Sequence, residues 1–483
     1  MMRTKTIVRA RAICCLLIAL VSSWAVWITV SAVQPAHPVW VVDSLTRVQP
    51  TDPPGSLTSA SLKAARNESE AVQVVIRAPA GAALTEVNVT VSDLIGPGTI
   101  PKSQIARYRA HYVPVTQPSN WPKQGWFSPH PPGEWPDALV PSTVPGGVYP
   151  SFPFTVAAGR NQPVWVEVSV PKGTPAGTYT GTVTVTADGL APVTIPLTLT
   201  VWGFTLPDRP TLASEFGLYD TWFLRASQHS AGSDPRTLNA NLRAALAEHR
   251  LGIETIDGRG YFDEPSTPAA YNAIRAAAPG LRAQGIPVVV TIQNPDAWTI
   301  LEGAVDVWVP VFYECKYRAW QIPAKLATGK QVWSYAAGIS PNDVPSWLLD
   351  YDLIHFRIPA WLNYRHGQTG LLFWTTAYWQ TGDPWTNTST DSDGANLGGT
   401  LFYPGDKVGA PNAAIPSARL KAIRDGLEDY DYLALLASLG DPGFAASLAA
   451  TLAPAWDNWN HDPGALASAR EQAALRILQL GGI

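Results

Sequence analysis

Asp263 and Glu264 are adjacent carboxylates in the run Gly260-Tyr-Phe-Asp-Glu-Pro265. Neighbouring side chains point to opposite faces inside a strand, but Pro265 forces the chain out of a sheet, and past a strand end the two groups can converge. Glycoside cleavage needs such carboxyl groups, one to protonate the leaving oxygen and one to stabilise or capture the cationic sugar carbon. The competing reading is a solvated pair that caps a helix starting at Pro268. Aromatic runs favour the first: Trp298, Trp308, Trp333, Tyr335, Trp361, Phe373, Trp374, Tyr378 and Trp379 fall at or near predicted strand ends. The apolar C–H faces of sugars stack on such rings, and Trp298, Trp333, Tyr335, Trp374 and Tyr378 are expected to line a substrate site. For any single ring, core packing is the alternative use. With 20 Trp in the chain, core filling alone is a poor account of so many rings with a polar edge.

Other chemistries find little support. There is no Gly-x-Ser-x-Gly elbow, phosphate loop or His-Glu-x-x-His run, and the 8 His residues are scattered. Asp391-Ser-Asp-Gly-Ala-Asn396 resembles the start of a calcium loop without its bidentate Glu, so a turn is expected there. No metal or cofactor is expected. A net charge of −4, with no long Lys/Arg cluster, argues against a nucleic-acid partner.

Residues 1 to 12 carry Arg3, Lys5, Arg9 and Arg11 without an acid, and Ile13 to Val30 are almost wholly apolar. This order reads as a secretory signal cleaved after Ala32, or as an uncleaved N-terminal anchor. No other stretch resembles a membrane span. Cys14 and Cys15 lie inside that segment, leaving Cys315 as a lone packed thiol. A secreted or cell-surface protein of bacterial type, without a disulfide framework, is expected.

The elements that must hold the pair are read from hydrophobic patterning. With 46% hydrophobic and 15% charged residues, 483 residues exceed one ordinary core. Short alternating runs at Val72–Ile76, Val87–Val91, Val164–Val170, Thr178–Val185 and Leu197–Trp202 predict an antiparallel β-sandwich over residues 38–206. Residues 116 to 150, dense in Pro and Gly and bearing Trp121, Trp126 and Trp135, are expected to form a long loop folded over something. From 211 to 415 the strands become continuous: Ser214–Leu218, Gly252–Ile256, Val288–Ile292, Val305–Val311, Val332–Tyr335 and Leu371–Trp374. Helices at Leu238–His249, Pro268–Ala283 and Tyr317–Leu326 alternate with them, predicting a (β/α) barrel whose site lies at the C-terminal strand ends. Only Asp257-Gly-Arg-Gly260 separates Ile256 from Tyr261, too little for a parallel crossover, so the barrel is shortened or one run is not a strand. Residues 416–483 read as helices packed on the barrel, the first capped by Ser417 and stopped by Gly440 and Pro442.

An ordered set of motifs resembles a known family. Arg66-Asn-Glu-Ser-Glu-Ala-Val-Gln73, Val170-Pro-Lys-Gly-Thr-Pro-Ala-Gly-Thr-Tyr-Thr-Gly181, Tyr261-Phe-Asp-Glu-Pro265, Val332-Trp-Ser-Tyr335, Phe402-Tyr-Pro-Gly405 and Arg419-Leu-x-x-Ile-Arg-Asp-Gly-Leu-Glu-Asp-Tyr430 occur in that order. Together they look like glycoside hydrolase family 123, over residues 40 to 440. The resemblance implies a β-sandwich before a barrel and a β-N-acetylgalactosaminidase that retains configuration by substrate assistance. It implies Glu264 as general acid and base, and Asp263 as the group that orients the substrate's 2-acetamido substituent. Trp333 and Tyr335 would help to enclose that substituent. The interval between Ser214-Glu-Phe-Gly217 and the carboxylate pair is shorter than the family's usual one. The charges of the Arg-Asp-Gly-x-Glu-Asp-Tyr run are expected to form buried structural pairs. Two alternatives stay open: hydrolysis of another extracellular polysaccharide, or glycan binding by a non-catalytic surface protein.

Overall fold

The structure, a computed structural model, describes residues 37–121, 125–218, 230–252, 260–338, 340–379, 382–389 and 394–482. The N-terminal segment and most of the expected strand Gly252–Ile256 lie outside the described residues, as does the start of the Asp391 run.

Ten principal strands build the N-terminal part: β1 (Val39–Asp43), β2 (Ala60–Arg66), β3 (Glu68–Arg77), β4 (Leu84–Val91), β5 (Ile105–Val115), β6 (Gly133–Pro141), β7 (Phe154–Val156), β8 (Asn161–Val170), β9 (Gly177–Ala187) and β10 (Leu190–Thr205). They form two sheets in the orders β1-β3-β8-β5-β6 and β7-β4-β9-β10-β2, the second with two short strands beside it. The principal pairings are antiparallel except that of β2 with β10. Val74, Val89, Val166, Val183 and Leu199 join in the buried core between them, as period-2 alternation requires of a sandwich. The expected loop over 116–150 is corrected in part. Gly133–Pro141 is an edge strand paired with β5, and Trp135 is buried. The ladder shifts register at Pro136, an interruption that sheet edges tolerate.

The second part is a single parallel sheet of β11 (Ala213–Phe216), β12 (Tyr261–Phe262), β13 (Val289–Ile292), β14 (Val307–Pro310), β15 (Gln331–Ala336) and β16 (Gly370–Phe373). Its order is β11-β16-β15-β14-β13-β12. β11 and β12 are its edges, so the curled sheet is a half-barrel among the described residues, the shortened form that the crowded sequence predicts. Val289, Val309, Val311, Trp333, Tyr335 and Leu372 pack on its concave face. Val288, Val290, Ile292, Trp308, Val332 and Phe373 point the other way, into the helices.

Those helices are α1 (Pro235–Glu248), α2 (Pro268–Ala283), α3 (Ala297–Ile300), α4 (Phe312–Tyr317), α5 (Gln321–Ala327), α6 (Ile354–His366), α7 (Ala418–Ser438), α8 (Pro442–Leu452) and α9 (Pro463–Gln479). Asp234, Thr267 and Ser417 cap α1, α2 and α7 by accepting from backbone N–H groups. The expected helix Tyr317–Leu326 is instead two short ones, α4 and α5, broken at Arg318–Trp320.

Sandwich and half-barrel meet through a buried seam of charge on α7. Arg424 pairs with Glu167 at 2.8 Å and with Asp425 at 2.6 Å, and Lys421 pairs with Glu167 at 2.7 Å. Arg419 reaches Asp137 at 3.0 Å, Arg470 of α9 pairs with Glu68 and Glu70, and Arg357 of α6 grips Asp429 in two 2.7 Å hydrogen bonds. The Arg-Asp-Gly-x-Glu-Asp-Tyr run is therefore structural in these contacts, as expected. Its Gly426 lies where a Cβ would come within 2.7 Å of the Arg357 carbonyl oxygen, so only glycine lets α6 and α7 approach this closely. Burial raises the Glu70 carboxyl to about 8, whereas Arg424 and Lys421 overcome burial at Glu167 and hold it well below the usual range.

Candidate active site

β12 ends at Phe262, and the chain then turns through Asp263 and Glu264 at the C-terminal edge of the sheet. Glu264 adopts φ +42°, a left-handed conformation that costs a non-glycine residue energy and has to be held in place by its surroundings. The Glu264 N–H donates to Thr291 Oγ1 at 2.9 Å, and the Thr291 hydroxyl donates to Asp263 Oδ1 at 2.9 Å. Thr291 is buried on the neighbouring strand β13, so one hydroxyl fixes the backbone of one acid and the side chain of the other. α2 takes its cap from Thr267, which leaves the carboxylates without a capping role there.

The two acids live in different surroundings. Asp263 is exposed and accepts from the Tyr261 hydroxyl at 2.9 Å as well as from Thr291. Glu264 is half-buried, and its Oε1 accepts from Gln293 Nε2 at 2.6 Å and from Tyr335 Oη at 2.5 Å. Burial raises the Glu264 carboxyl above its ordinary range and the Asp263 charge adds to the rise, against the opposing hydrogen bonds from Tyr335 and Gln293. The Tyr335 phenol is itself pushed well up by burial and by Glu264, so it stays a donor. Tyr313, at the start of α4, is raised by burial and then by the Glu264 charge, which places it within electrostatic reach of that carboxylate.

Of the expected residues, the structure brings Asp263, Glu264 and Tyr335 together. Trp333 lies two residues before Tyr335 on the same concave face, paired in register with Gly370. The absent Gly370 side chain makes room for its indole, because a Cβ there would fall 2.1 Å from the ring. Trp374 and Tyr378 form a tilted pair with centroids 5.0 Å apart just beyond β16, both partly exposed. Trp298 is a correction: it is fully buried on α3 and stacks on Trp308 with centroids 5.5 Å apart and planes 4° from parallel, so it offers no face to a sugar. Trp308, Trp361 and Trp379 are likewise fully buried core rings. Cys315 is a packed thiol whose pKa burial pushes up, touching Gln368 at 3.5 Å.

Thr291, Gln293 and Tyr261 hold the pair without having been expected to. Thr291 and Gln293 did leave a trace: polar residues at alternate positions in Val290-Thr-Ile-Gln293 share one face of an otherwise apolar strand. If Tyr335 donates to the ionised form of Glu264, Tyr335→Phe raises the Glu264 pKa further. The alkaline limb of the kcat/KM profile, which follows loss of the Glu264 proton, then moves to higher pH, and kcat falls about tenfold. A pH–rate profile that does not move excludes this role.

A family description of the Glycoside hydrolase 123 N-terminal domain matches residues 45–187, and one of the Glycoside hydrolase 123 catalytic domain matches residues 239–436. The chain belongs to glycoside hydrolase family 123. It is a glycosidase of that family, and a glycan is its substrate class. A family 123 glycoside hydrolase from Clostridium perfringens, solved for the hydrolysis of glycolipid glycans, shares the fold with a TM-score of 0.68 at 12% identity. The match covers 92% of this family 123 chain and 98% of that one. A Bacteroides ovatus xyloglucanase covers 76% of this chain and 98% of its own at 11% identity, but its TM-score of 0.18 carries no argument. The search of curated proteins gave no match.

Proposed function

We propose that this glycosidase cleaves β-N-acetylgalactosaminide-type glycosides with retention, using the substrate's acetamido group as nucleophile. The observation that carries this reading is the inequality of two adjacent carboxylates. Glu264, half-buried and raised in pKa, suits proton delivery to the glycosidic oxygen. As the C–O bond breaks, the acetamido carbonyl oxygen attacks the anomeric carbon to form a cyclic oxazolinium. Asp263, steered by Thr291 and Tyr261, accepts the acetamido N–H and orients that carbonyl. Glu264, now a carboxylate, takes a proton from the water that opens the ring and restores the configuration. Substrate-assisted enzymes of this kind need no protein nucleophile. The family resemblance and the glycan substrate of the Clostridium perfringens relative support the same reading. We infer export from the basic start and apolar run of residues 1–32.

The test compares an aryl N-acetyl-β-galactosaminide with the matching aryl β-galactoside, which lacks the acetamido group. Turnover of the first should exceed that of the second by at least about a thousandfold, since intramolecular attack is lost in the second. Equal turnover, or cleavage of the neutral glycoside alone, overturns substrate assistance and selects the other-polysaccharide reading.

A further inference from the structure

The sandwich reaches over the half-barrel through residues 116–121 and 125–132. A short hairpin there pairs Asn120–Trp121 with Trp126–Phe127. Both of its arms are pinned to Asp350, which is fully buried. Ser119 donates to the Asp350 carboxylate from its backbone N–H at 2.7 Å and from its hydroxyl at 2.6 Å, and the Ser128 hydroxyl donates to the Asp350 carbonyl at 2.7 Å. Asn396 adds two more ties, its N–H to Ser119 Oγ and its amide to the Gln117 carbonyl, both at 2.9 Å. The hairpin is therefore a fixed strap whose geometry is set before any ligand arrives.

Trp126 is the side chain this strap delivers to the mouth of the half-barrel. Its ring packs against Leu348, Tyr351 and Ala395, yet stays partly exposed. Its centroid lies 6.0 Å from that of Tyr313, with the planes tilted by 50°. Tyr313 follows β14 directly and feels the Glu264 charge. Tyr317, 46% exposed, continues the row with its centroid 6.4 Å from Tyr313. An aromatic row of Trp126, Tyr313 and Tyr317 thus runs outward beside the carboxylate pair, and rings held partly open in this way offer faces on which a sugar can stack.

We propose that Trp126 and Tyr313 form a stacking platform for the sugar on the leaving-group side of the cleaved bond, which makes a glycan chain the preferred substrate. This rests on the assignment of Glu264 as proton donor. The donor sugar occupies the concave face beside Asp263 and Tyr335, and the departing portion leaves through the mouth, past the rings that rise beyond the strand ends. A sugar there lays its C–H face on Trp126, and the sandwich thereby takes part in substrate choice.

The experiment uses the full chain and two substrates with the same donor sugar. One is a trisaccharide with β-N-acetylgalactosamine attached to lactose, and the other is N-acetyl-β-galactosaminyl fluoride, whose leaving group is a single atom. Trp126→Ala should lower kcat/KM on the trisaccharide about tenfold, the scale of one aromatic contact, with the fluoride rate changed less than about twofold. Trp126→Phe should restore most of the trisaccharide rate. Equal losses on both substrates would mark Trp126 as a prop for the fold and overturn the platform, as would no loss on either. Wild-type protein inert to both substrates overturns the underlying proton-donor reading, and the platform with it.

Discussion

Glu264→Gln should lower kcat/KM on an aryl N-acetyl-β-galactosaminide by about a thousandfold, within the range of general acid–base catalysis, and leave the far-UV spectrum and melting temperature unchanged. Glutamine keeps the acceptor oxygen that Gln293 and Tyr335 address, so the local geometry has little reason to change. What it loses is the proton. The loss should therefore shrink when the leaving group is dinitrophenolate, which departs without protonation. Asp263→Asn should lose activity on both leaving groups alike, since orienting the acetamido group is needed whatever departs. The pH profile adds a second check. Burial raises the Glu264 pKa, so the protonated, active form persists above the ordinary carboxylate range and activity falls as pH rises through the shifted value. That limb should vanish in Glu264→Gln. Undiminished turnover by this variant would end the assignment.

The second large effect is on stability. Arg357→Met should destabilise the fold by about 3 kcal/mol, because it removes the bidentate cation from buried Asp429 and leaves it only Arg470, which is shared with Glu68 and Glu70. The Arg357 guanidinium holds both Asp429 oxygens and lies 3.6 Å from Asp425 and 3.8 Å from Glu70. Trp361 donates to the same Asp429 carboxylate at 2.9 Å and Arg470 lies 3.0 Å from it, but Arg470 also serves Glu68 and Glu70. Replacing both partners, Arg357→Met with Asp429→Leu, should recover a substantial part of the loss, since a matched apolar pair carries no stranded charge. Urea denaturation reads both variants. A single variant within about 1 kcal/mol of wild type would show that Arg470 alone suffices for Asp429.

Much of the half-barrel was legible because its strands are continuous apolar runs buried on two faces, and Val289–Ile292 and Val307–Pro310 stand within the expected stretches. The pair at 263 and 264 was legible because Pro265 closes an aromatic run just where a parallel strand ends. The strands of the sandwich that stayed hidden have a common cause. β5 interleaves Arg107, Arg109 and His111 with Tyr108, Ala110 and Tyr112 rather than with the Val and Ile of the other strands, and β6 is interrupted by Pro136, so neither shows the apolar signal that marked the rest. The aromatic residues were hardest to sort. Trp298 and Trp374 both stand close to strand ends in the sequence, yet one is fully buried against Trp308 and the other sits partly open beside Tyr378. Burial of a ring is decided by the element that arrives to cover it, here the next strand with Trp308. The contribution of Trp126 was hidden for the same reason, since its partner Tyr313 lies on the other side of the linker.

The charged seam bears on how such a chain could be recombined over its history. Glu68, Glu70, Asp137 and Glu167 belong to the sandwich, and the cations that neutralise them, Arg470, Arg419, Lys421 and Arg424, sit on helices at the far end of the chain. A gene fusion that brought in a foreign sandwich would leave those cations facing a surface without the matching acids. The front and rear of the sequence are thus locked to each other across the middle, and the sandwich travels with its glycosidase as inherited hardware rather than as an exchangeable cassette.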